Sequence, residues 1–298
     1  MILVIQQIIN GCAIGLIYGL MGLGFSIIWG TASTINLGHG GIYSLGGYLG
    51  VTVVVLASNS LGSGGAFGAA FLMAATIGAF LGIIYEKGLF KPLRMAPPIA
   101  PLLASLGIGL AAFNAIGFIW DTETHGYPNI LPSTRLSLLG ASITYTQLCL
   151  MGILLVITVA VYLFLFKTRM GTAMRATSWD QKAAQLVGID INKTILLSFL
   201  LASLLGGISG FVGATYYGVV YPFMGYGPAI KGLTAAIFGG FGNPMGAVLG
   251  GLLLGVLEAL GTTYAGSGWK DVFAYAILVA IIIFRPEGLL GKKVGGIG

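Results

Sequence analysis

Apolar residues run along this chain in stretches long enough to cross a membrane, with short polar segments between them. No Asp, Glu, Lys or Arg occurs before Glu86, and the runs 194–230 and 232–257 are also free of these residues. An α-helix needs about 20 mostly apolar residues to span the hydrocarbon core of a bilayer. The pattern predicts an all-α, polytopic transmembrane helical bundle with about eight spans. The spans are expected at roughly 4–29, 38–58, 64–86, 98–120, 143–166, 194–218, 228–263 and 270–285.

The stretch 228–263 is too long for one crossing and predicts a broken span, or half-helix pair. Its break falls at residues 239–244, which read Gly-Gly-Phe-Gly-Asn-Pro. A second break is predicted from Thr31 to Gly41, between the first two spans. Irregular backbone inside a bilayer is tolerated only where protein buries it or where it lines a wet cavity. Both breaks are therefore candidate parts of a translocation path.

The composition excludes an ordinary soluble domain. Charged residues make up 7% of the 298 positions and hydrophobic residues 57%, whereas a soluble domain carries about a quarter charged residues. Glycine is unusually frequent, with 50 residues, and many glycines stand four positions apart, as Gly11, Gly15 and Gly19 do. Small residues at this spacing lie on one helix face and let helices approach closely. We therefore expect residues 1–298 to form a single, tightly packed transmembrane domain.

The basic residues predict the orientation of the chain. Eleven of the fourteen Lys and Arg residues fall in three segments, 86–94, 167–193 and 285–293. Cytoplasmic loops concentrate Lys and Arg, so these three segments are expected inside and the more acidic segment 121–142 outside. The N-terminus is then outside and the C-terminus inside. Topology thus explains the excess of positive charge, and no basic cluster with interleaved aromatic residues indicates a nucleic-acid partner.

The chemistry that an enzyme would need is missing from the sequence. There is no G-x-x-x-x-G-K-[ST] pattern, so the chain lacks a phosphate-cradling loop of its own. His39 and His125 stand alone, without cysteines at metal-ligand spacing, and no arrangement suits proteolysis within the membrane. We therefore expect a transporter or channel that binds no cofactor or metal itself. A transporter of this kind takes its energy from a partner or from an ion gradient.

Residues 167–193 discriminate between these energy sources. The stretch Arg175-Ala-Thr-Ser-Trp-Asp-Gln-Lys-Ala-Ala-Gln-Leu-Val-Gly-Ile-Asp190 resembles the cytoplasmic coupling motif of ATP-binding-cassette importers. In that motif an acidic or polar residue precedes two alanines, and a glycine follows after three more residues. Lys182 stands here where the motif usually has an acidic residue. The alternative reading is an ordinary basic cytoplasmic loop that obeys the positive-inside rule.

A polar stretch of this kind predicts a short helix lying on the cytoplasmic surface. Ala183 and Ala184 would keep it slim enough to enter a groove of a partner, and Gly188 would permit a tight turn after it. Arg175 and Lys182 would reach acidic groups on that partner. The residues assigned to ATPase coupling are Arg175, Trp179, Lys182, Ala183, Ala184, Gly188, Ile189 and Asp190.

Further motifs extend the resemblance along the whole chain. Residues 35–40, Ile-Asn-Leu-Gly-His-Gly, resemble the Ile-Asn-Phe-Ala-His-Gly signature of the branched-chain (hydrophobic) amino-acid permeases, and depart from it at Leu37 and Gly38. Residues 224–247 and 285–291 resemble later signatures of the same family in the same order. The chain is most similar to the H-type of the two permease subunits. Because members of the family also serve urea, amides and other amino acids, the resemblance specifies the class of transporter more closely than the solute.

The resemblance implies an importer in a bacterial inner membrane that works by alternating access. Its implied partners are a second, M-type permease, two cytoplasmic ATPases that hold ATP and Mg, and an external solute-binding protein. The competing hypothesis is a self-sufficient secondary transporter or channel, which has no need for a coupling segment. Measuring solute-stimulated ATPase activity would separate the two.

Polar residues at membrane depth are the candidates for a translocation path, because ionisable groups there are costly and tend to face cavities. For Asn36 and His39 the alternative is plain structural packing. For Lys231 it is snorkelling to the outer interface, and Asp271 is expected at that interface as an anchor. The residues assigned to the path are Asn36, His39, Tyr43, Lys231, Asn243 and Glu258.

Overall fold

The computed structural model describes residues 2–128, 131–132, 134–138, 141–285 and 287–291. Within these residues the chain forms a helical bundle with a few short strands. The predicted tail residues Lys292 and Lys293 lie outside the described residues. The helices are α1 (Ile2–Ala32), α2 (His39–Ile84), α3 (Ile99–Trp120), α4 (Tyr145–Lys167), α5 (Arg169–Trp179), α6 (Gln181–Leu186), α7 (Ile191–Tyr217), α8 (Tyr226–Gly239), α9 (Pro244–Ala265) and α10 (Lys270–Phe284).

Short elements join and extend these helices. A π-helix, Tyr85–Phe90, continues α2, and 3₁₀ turns lie at Pro222–Gly225 and Ser267–Trp269. The strands are β1 (His125–Gly126), β2 (Arg135–Leu138), β3 (Ala141–Thr144) and β4 (Val219–Val220). β2 and β3 form an antiparallel hairpin, and β1 pairs antiparallel with β4. The β1–β4 pair ties the segment after α3 to the end of α7.

The described residues include six helices that are long and apolar enough to cross a membrane: α1, α2 with its π-helical extension, α3, α4, α7 and α9. α8 and α10 are shorter, with 14 and 15 residues. The polytopic helical bundle predicted from the sequence is therefore confirmed. The irregular segments predicted near Thr31–Gly41 and residues 239–244 are also present, because α1 ends at Ala32, α2 begins at His39, α8 ends at Gly239 and α9 begins at Pro244.

α2 is a helical hairpin rather than one straight helix. Gly62 leaves the helical region, with φ +67° and ψ 174°, a left-handed conformation that glycine adopts without steric cost. A Cβ added to Gly46 would collide with Gly207 of α7, and a Cβ added to Gly207 would collide with the backbone of Ala74. Both halves of α2 thus reach the same level of α7, in agreement with the separate spans predicted at 38–58 and 64–86.

Close helix contacts account for much of the glycine content. A Cβ on Gly11 would lie 2.6 Å from Val256 Cα, and a Cβ on Gly15 would lie 2.8 Å from the Gly251 carbonyl oxygen. These positions form a seam between α1 and α9 in which backbone packs directly on backbone. Small residues allow such van der Waals contact, which holds helices together where lipid removes the hydrophobic driving force.

The polar segments gather at two opposite ends of the bundle. At one end Arg94 Nη1 donates to Asn192 Oδ1 (2.6 Å), Gln181 Nε2 donates to the Thr31 carbonyl (2.7 Å), and Asn243 Nδ2 donates to the Leu290 carbonyl (2.9 Å). At the other end the backbone N–H of Ser142 donates to Gln6 Oε1 (2.8 Å), and that of Tyr127 to the Gly218 carbonyl (2.8 Å). The first end holds the basic segments predicted to be cytoplasmic, and we call the two ends the inner and outer ends.

Cysteine labelling tests this orientation. In a chain whose native Cys12 and Cys149 are replaced, a cysteine at Glu123 is expected to react with a membrane-impermeant maleimide added outside. A cysteine at Ser178 is expected to react only after the membrane is permeabilised. Both positions are exposed, so the membrane decides access. If only the Ser178→Cys variant reacts from outside, the predicted orientation is wrong.

Candidate functional site

The coupling segment consists of two short helices, α5 and α6, held by capping side chains. Thr168 Oγ1 accepts from the Gly171 N–H (3.0 Å) at the start of α5. The Asp180 carboxylate accepts from the N–H groups of Lys182 (2.8 Å) and Ala183 (3.0 Å). Such caps satisfy N–H groups that have no partner within the helix. The polar residues of this segment therefore build the two helices, where the sequence predicted one short surface helix.

The turn after α6 has the geometry predicted for Gly188. Its φ of +88° lies in the left-handed region, where glycine is strongly favoured after a helix. Asp190 then caps α7, accepting from the Lys193 N–H (3.1 Å) and lying 3.3 Å from Lys193 Nζ. The backbone hydrogen bond from Lys193, followed by the contact with its side chain, lowers the pKa of Asp190. This turn fixes where α6 stops and where α7 begins.

Exposed apolar side chains mark the surface of this segment. Leu186 is 89% exposed, Val187 77% and Trp179 75%, and Lys182 and Ala183 are also exposed. Large apolar side chains that project together into water indicate a surface that a partner covers. The sequence assignment included Trp179 and Lys182 but missed Leu186 and Val187.

Ala184 and Arg175 pack against their own chain. Ala184 is buried, with 3% exposure, so only Ala183 of the two alanines is exposed, and its place in a docking surface stays a prediction. Arg175 lies 4.7 Å above the ring of Phe166, with its Nη2 3.4 Å from Thr172 Oγ1. The guanidinium of Arg175 therefore packs on α4 and α5 in this structure, and its contact with a partner stays a prediction. Ile189 is half-buried and Asp190 is exposed.

The coupling segment contacts the end of α1. Gln181 Nε2 donates to the carbonyl of Thr31, one residue before α1 ends. Outside the coupling segment, the ring of Trp29 in α1 stacks at 4.6 Å on Phe241, which lies between α8 and α9. An inner cavity of about 540 Å³ opens beside this contact, lined by Trp29, Gln181 and Arg94 among others. Arg94 is held there by an ion pair with the buried Glu86. A displacement of α6 would therefore reach the irregular segment 33–38 through Gln181.

Asn36 and His39 are packed inside the bundle. Both are fully buried; Asn36 Oδ1 accepts from the Gly38 N–H (3.1 Å), and the His39 ring packs edge-on against Phe25 at 5.0 Å. Ser105 Oγ accepts from the Leu37 N–H (3.1 Å) and so fastens the segment to α3. Neither side chain lines the inner cavity or the outer cavity described below. In this structure Asn36 and His39 are therefore packed as the structural alternative for them expects. A role of these two residues in transport stays a prediction.

A cavity of about 370 Å³ lies near the outer end, above the start of α8. Its polar lining is unusual for the interior of a membrane protein, because it combines tyrosines with charged groups. Gly227 and Pro228, in the first turn of α8, belong to the same lining. The tyrosines and charged residues around it are Tyr18, Tyr43, Tyr217, Tyr221, Lys231, Lys270 and Asp271.

The charged groups form one connected network. Lys231 Nζ lies 2.9 Å from Glu258 Oε2 and 2.9 Å from Asp271 Oδ1, and Lys270 Nζ lies 3.2 Å from Glu258 Oε1. The hydroxyl of Tyr18 donates to the same Glu258 oxygen (3.2 Å). The side chains of Lys231 and Glu258 are only 5% and 2% exposed. Removing one partner of such a buried pair leaves the other charge buried without a counter-ion, which lowers the stability of the fold by about 3–5 kcal/mol.

This arrangement changes the interpretation of Lys231 and Asp271, and the structure places Asn243 elsewhere. Lys231 is buried at the cavity, so the snorkelling alternative is wrong. Asp271 is paired with Lys231 across the gap between α10 and α8, so it is more than an anchor beside Lys270. Asn243 lies at the inner end, where its side chain accepts from the Gly246 N–H (3.2 Å) and caps α9. The translocation residues assigned from the sequence therefore do not form one cluster: Tyr43 and Lys231 line the outer cavity, Glu258 pairs with Lys231, and Asn243 lies at the inner end.

Comparison with known proteins agrees with this architecture. The family described as branched-chain amino acid transport system, permease component, matches residues 7–282. The chain belongs to this family. It is 33% identical over 294 residues to the permease protein BraD of Pseudomonas aeruginosa, a match that covers 97% of this chain and 96% of BraD.

Two further permeases resemble the chain over most of their length. The high-affinity branched-chain amino acid permease LivH of Escherichia coli is 29% identical, with 97% of this chain and 96% of LivH covered. A probable LivH of Methanocaldococcus jannaschii is 28% identical, with 91% of this chain and 88% of that protein covered. The chain is thus a multi-pass membrane permease of a transport system.

Among the described residues of this permease, no group of three or more His, Cys, Asp or Glu side chains is placed to hold a metal ion. The features of the candidate site that sequence reasoning missed are the second ion pair of Lys231, with Asp271, and the exposed pair Leu186 and Val187. A signal for the first was available, because Lys231, Lys270 and Asp271 are rare charges in an apolar region. Their distance along the chain concealed the pairing.

Proposed function

We propose that this chain is a permease subunit of an ATP-driven importer that moves branched-chain or other hydrophobic amino acids inward by alternating access. The solute class follows the printed descriptions of BraD and LivH, which are branched-chain amino acid permeases. The observation that carries the ATP-driven mechanism is the coupling segment. It presents Leu186, Val187 and Trp179 at the inner end and touches α1 through Gln181.

In this mechanism the cytoplasmic ATPases hold ATP and Mg, and their closure displaces α5 and α6. The contact from Gln181 to the Thr31 carbonyl transmits that displacement to the end of α1 and the segment 33–38. This segment lies beside the inner cavity, which is lined by Ser33, Thr34 and Ile35. Its movement would open or close the inner cavity to the cytoplasm. ATP hydrolysis belongs to the partners, and the permease supplies the path.

The proposal includes four partners: a second, M-type permease, two ATP-binding-cassette ATPases and an external solute-binding protein. The complex is placed in a bacterial inner membrane, with lipid around the exposed apolar faces of α3, α4 and α10. The segment 121–144 and the outer cavity would face the solute-binding protein. Phe118 and Ile119, at the outer end of α3, are 93% and 65% exposed, which suits a surface covered by lipid or by the second permease.

Two alternatives remain open to experiment. A permease of the same family for urea, amides or other amino acids would keep the coupling segment and change only the solute. A self-sufficient secondary transporter or channel would move solute without ATP.

Reconstitution of the whole complex tests the proposal. In proteoliposomes that contain both permeases and both ATPases, leucine, isoleucine and valine together with the binding protein are expected to raise ATPase activity several-fold. Urea is expected to have no effect, and omission of the binding protein serves as the control. Accumulation of leucine without ATP would contradict the importer, and stimulation by urea alone would contradict the solute class.

A further inference from the structure

The outer cavity has a feature that ion pairing alone does not require. Glu258 is buried and already has three partners, namely Lys231, Lys270 and the Tyr18 hydroxyl. Lys231 nevertheless makes a second ion pair, with Asp271, whose side chain is 65% exposed. Lys231 and Asp271 both line the cavity. The Lys231–Asp271 ion pair thus forms part of the cavity wall, and its carboxylate is accessible.

Building on the proposed function, we propose that the outer cavity is a binding site for zwitterionic amino acids, in which the solute inserts between Lys231 and Asp271. The solute carboxylate takes the place of Asp271 beside Lys231 Nζ. The solute ammonium takes the place of Lys231 beside Asp271. No covalent bond changes and no proton needs to move. The ion pair between Lys231 and Asp271 is replaced by two ion pairs, one from each residue to the solute.

The net charge of the site fits a neutral solute. Two lysines, Lys231 and Lys270, face two carboxylates, Glu258 and Asp271, so the formal charges of the network sum to zero. A zwitterion keeps that balance, whereas a solute with one charge would leave an uncompensated charge in a poorly solvated place. The network therefore selects against amines and carboxylic acids that otherwise resemble an amino acid.

The start of α8 supports the carboxylate end of this site. Gly227 and Pro228 line the cavity, so the positive end of the helix dipole faces it. Anions are favoured at that end of a helix. Lys231 lies in the second turn of α8, where Glu258 and Asp271 neutralise it in the absence of solute. A bound carboxylate would do so in place of Asp271.

The rest of the lining suits an apolar side chain. Tyr43, Tyr221 and Met224 also line the cavity, and Tyr43 and Met224 are largely buried. Aromatic faces bury large apolar area and also attract cations. The rings would therefore cover an aliphatic side chain and assist Asp271 with the ammonium group.

Three ligands and two variants separate this site from a purely structural network. The purified complex in nanodiscs, without its binding protein, is titrated with leucine, leucinamide and isocaproate. Leucinamide lacks the carboxylate, and isocaproate lacks the ammonium. Leucine is expected to bind the wild type at least about tenfold more tightly than either analogue, the scale of one lost charge-assisted contact.

The variants should each remove one half of the recognition. Asp271→Asn is expected to weaken leucine at least about tenfold and to leave isocaproate unchanged or bound more tightly, because isocaproate has no ammonium for Asp271 and no longer competes with Asp271 for Lys231. The charge-balanced variant Lys231→Met/Glu258→Gln should weaken leucine and leave leucinamide unchanged or bound more tightly, because leucinamide no longer competes with Lys231 for Asp271. Glu123→Gln, an exposed carboxylate at the outer end outside the cavity, should behave as the wild type.

The outcomes also separate this site from the proposed function. Variants that bind all three ligands as the wild type does, or that weaken leucine and the analogues equally, would overturn the zwitterion site while leucine transport by the complex stands. A wild-type complex that transports urea or amides instead of leucine would overturn the proposed function itself. If the double variant does not assemble, the exposed Asp271→Asn decides alone.

Discussion

Replacement of Gly210 by alanine is expected to prevent this permease from folding stably. A Cβ at this position would overlap the backbone carbonyl of Tyr43, where α7 crosses α2. Backbone atoms of two packed helices have no rotamer with which to give way, so the helices must separate. Overpacking costs about 1–3 kcal/mol, and we expect the upper end of that range or more. The temperature at which the detergent-solubilised chain loses its monodisperse elution peak would measure the effect.

Gly152→Ala in α4 is the matched control for Gly210→Ala. A Cβ at Gly152 meets nothing within 4 Å, and alanine favours a helix over glycine by about 0.8–1 kcal/mol. Gly152→Ala should therefore leave unchanged, or raise, the temperature at which the solubilised chain loses its monodisperse elution peak. Equal behaviour of the two variants would show that the α2–α7 contact is looser than the structure describes it.

The glycines illustrate how far the fold could be predicted. Four-residue spacing along the chain predicted close helix packing, and contacts such as Gly11 against Val256 agree with it. The spacing did not indicate which helices meet. The separate spans predicted at 38–58 and 64–86 anticipated the reversal at Gly62, but nothing in the spacing indicated that Gly46 and Ala74 reach the same level of α7.

The site was harder to predict, for physical reasons that differ between its parts. Lys231 stood out because an ionisable group at membrane depth is costly, and the carboxylates that pair with it lie 27 and 40 residues further along the chain. Such pairing depends on tertiary structure. In the coupling segment, α6 has six residues, too few for an amphipathic period, so the sequence did not show that Ala184 faces inward and Leu186 outward.

Leu186→Asp is expected to abolish ATP-driven uptake while the permease still folds and inserts. Leu186 is 89% exposed in this chain, so the charge is tolerated until the ATPase docks. In the docked complex the carboxylate would be buried against an apolar surface, and loss of a central interface residue costs about 2 kcal/mol or more. Uptake of leucine by reconstituted complexes should fall below about a tenth of the wild-type rate. Co-purification of the ATPase with the permease should fall in parallel.

Met95→Asp is the matched control, because it distinguishes docking from a general effect of charge at the inner end. Met95 is 98% exposed and belongs to the segment between α2 and α3, outside α5 and α6. If the coupling surface is where the ATPase binds, Met95→Asp should retain co-purification of the ATPase; uptake is not the control readout for this variant, because Met95 also lines the inner cavity. Equal loss of co-purification in the two variants would extend the docking surface to the segment after α2. Normal uptake in Leu186→Asp would remove the coupling role from α6, and with it the argument that ATP drives this permease through Gln181.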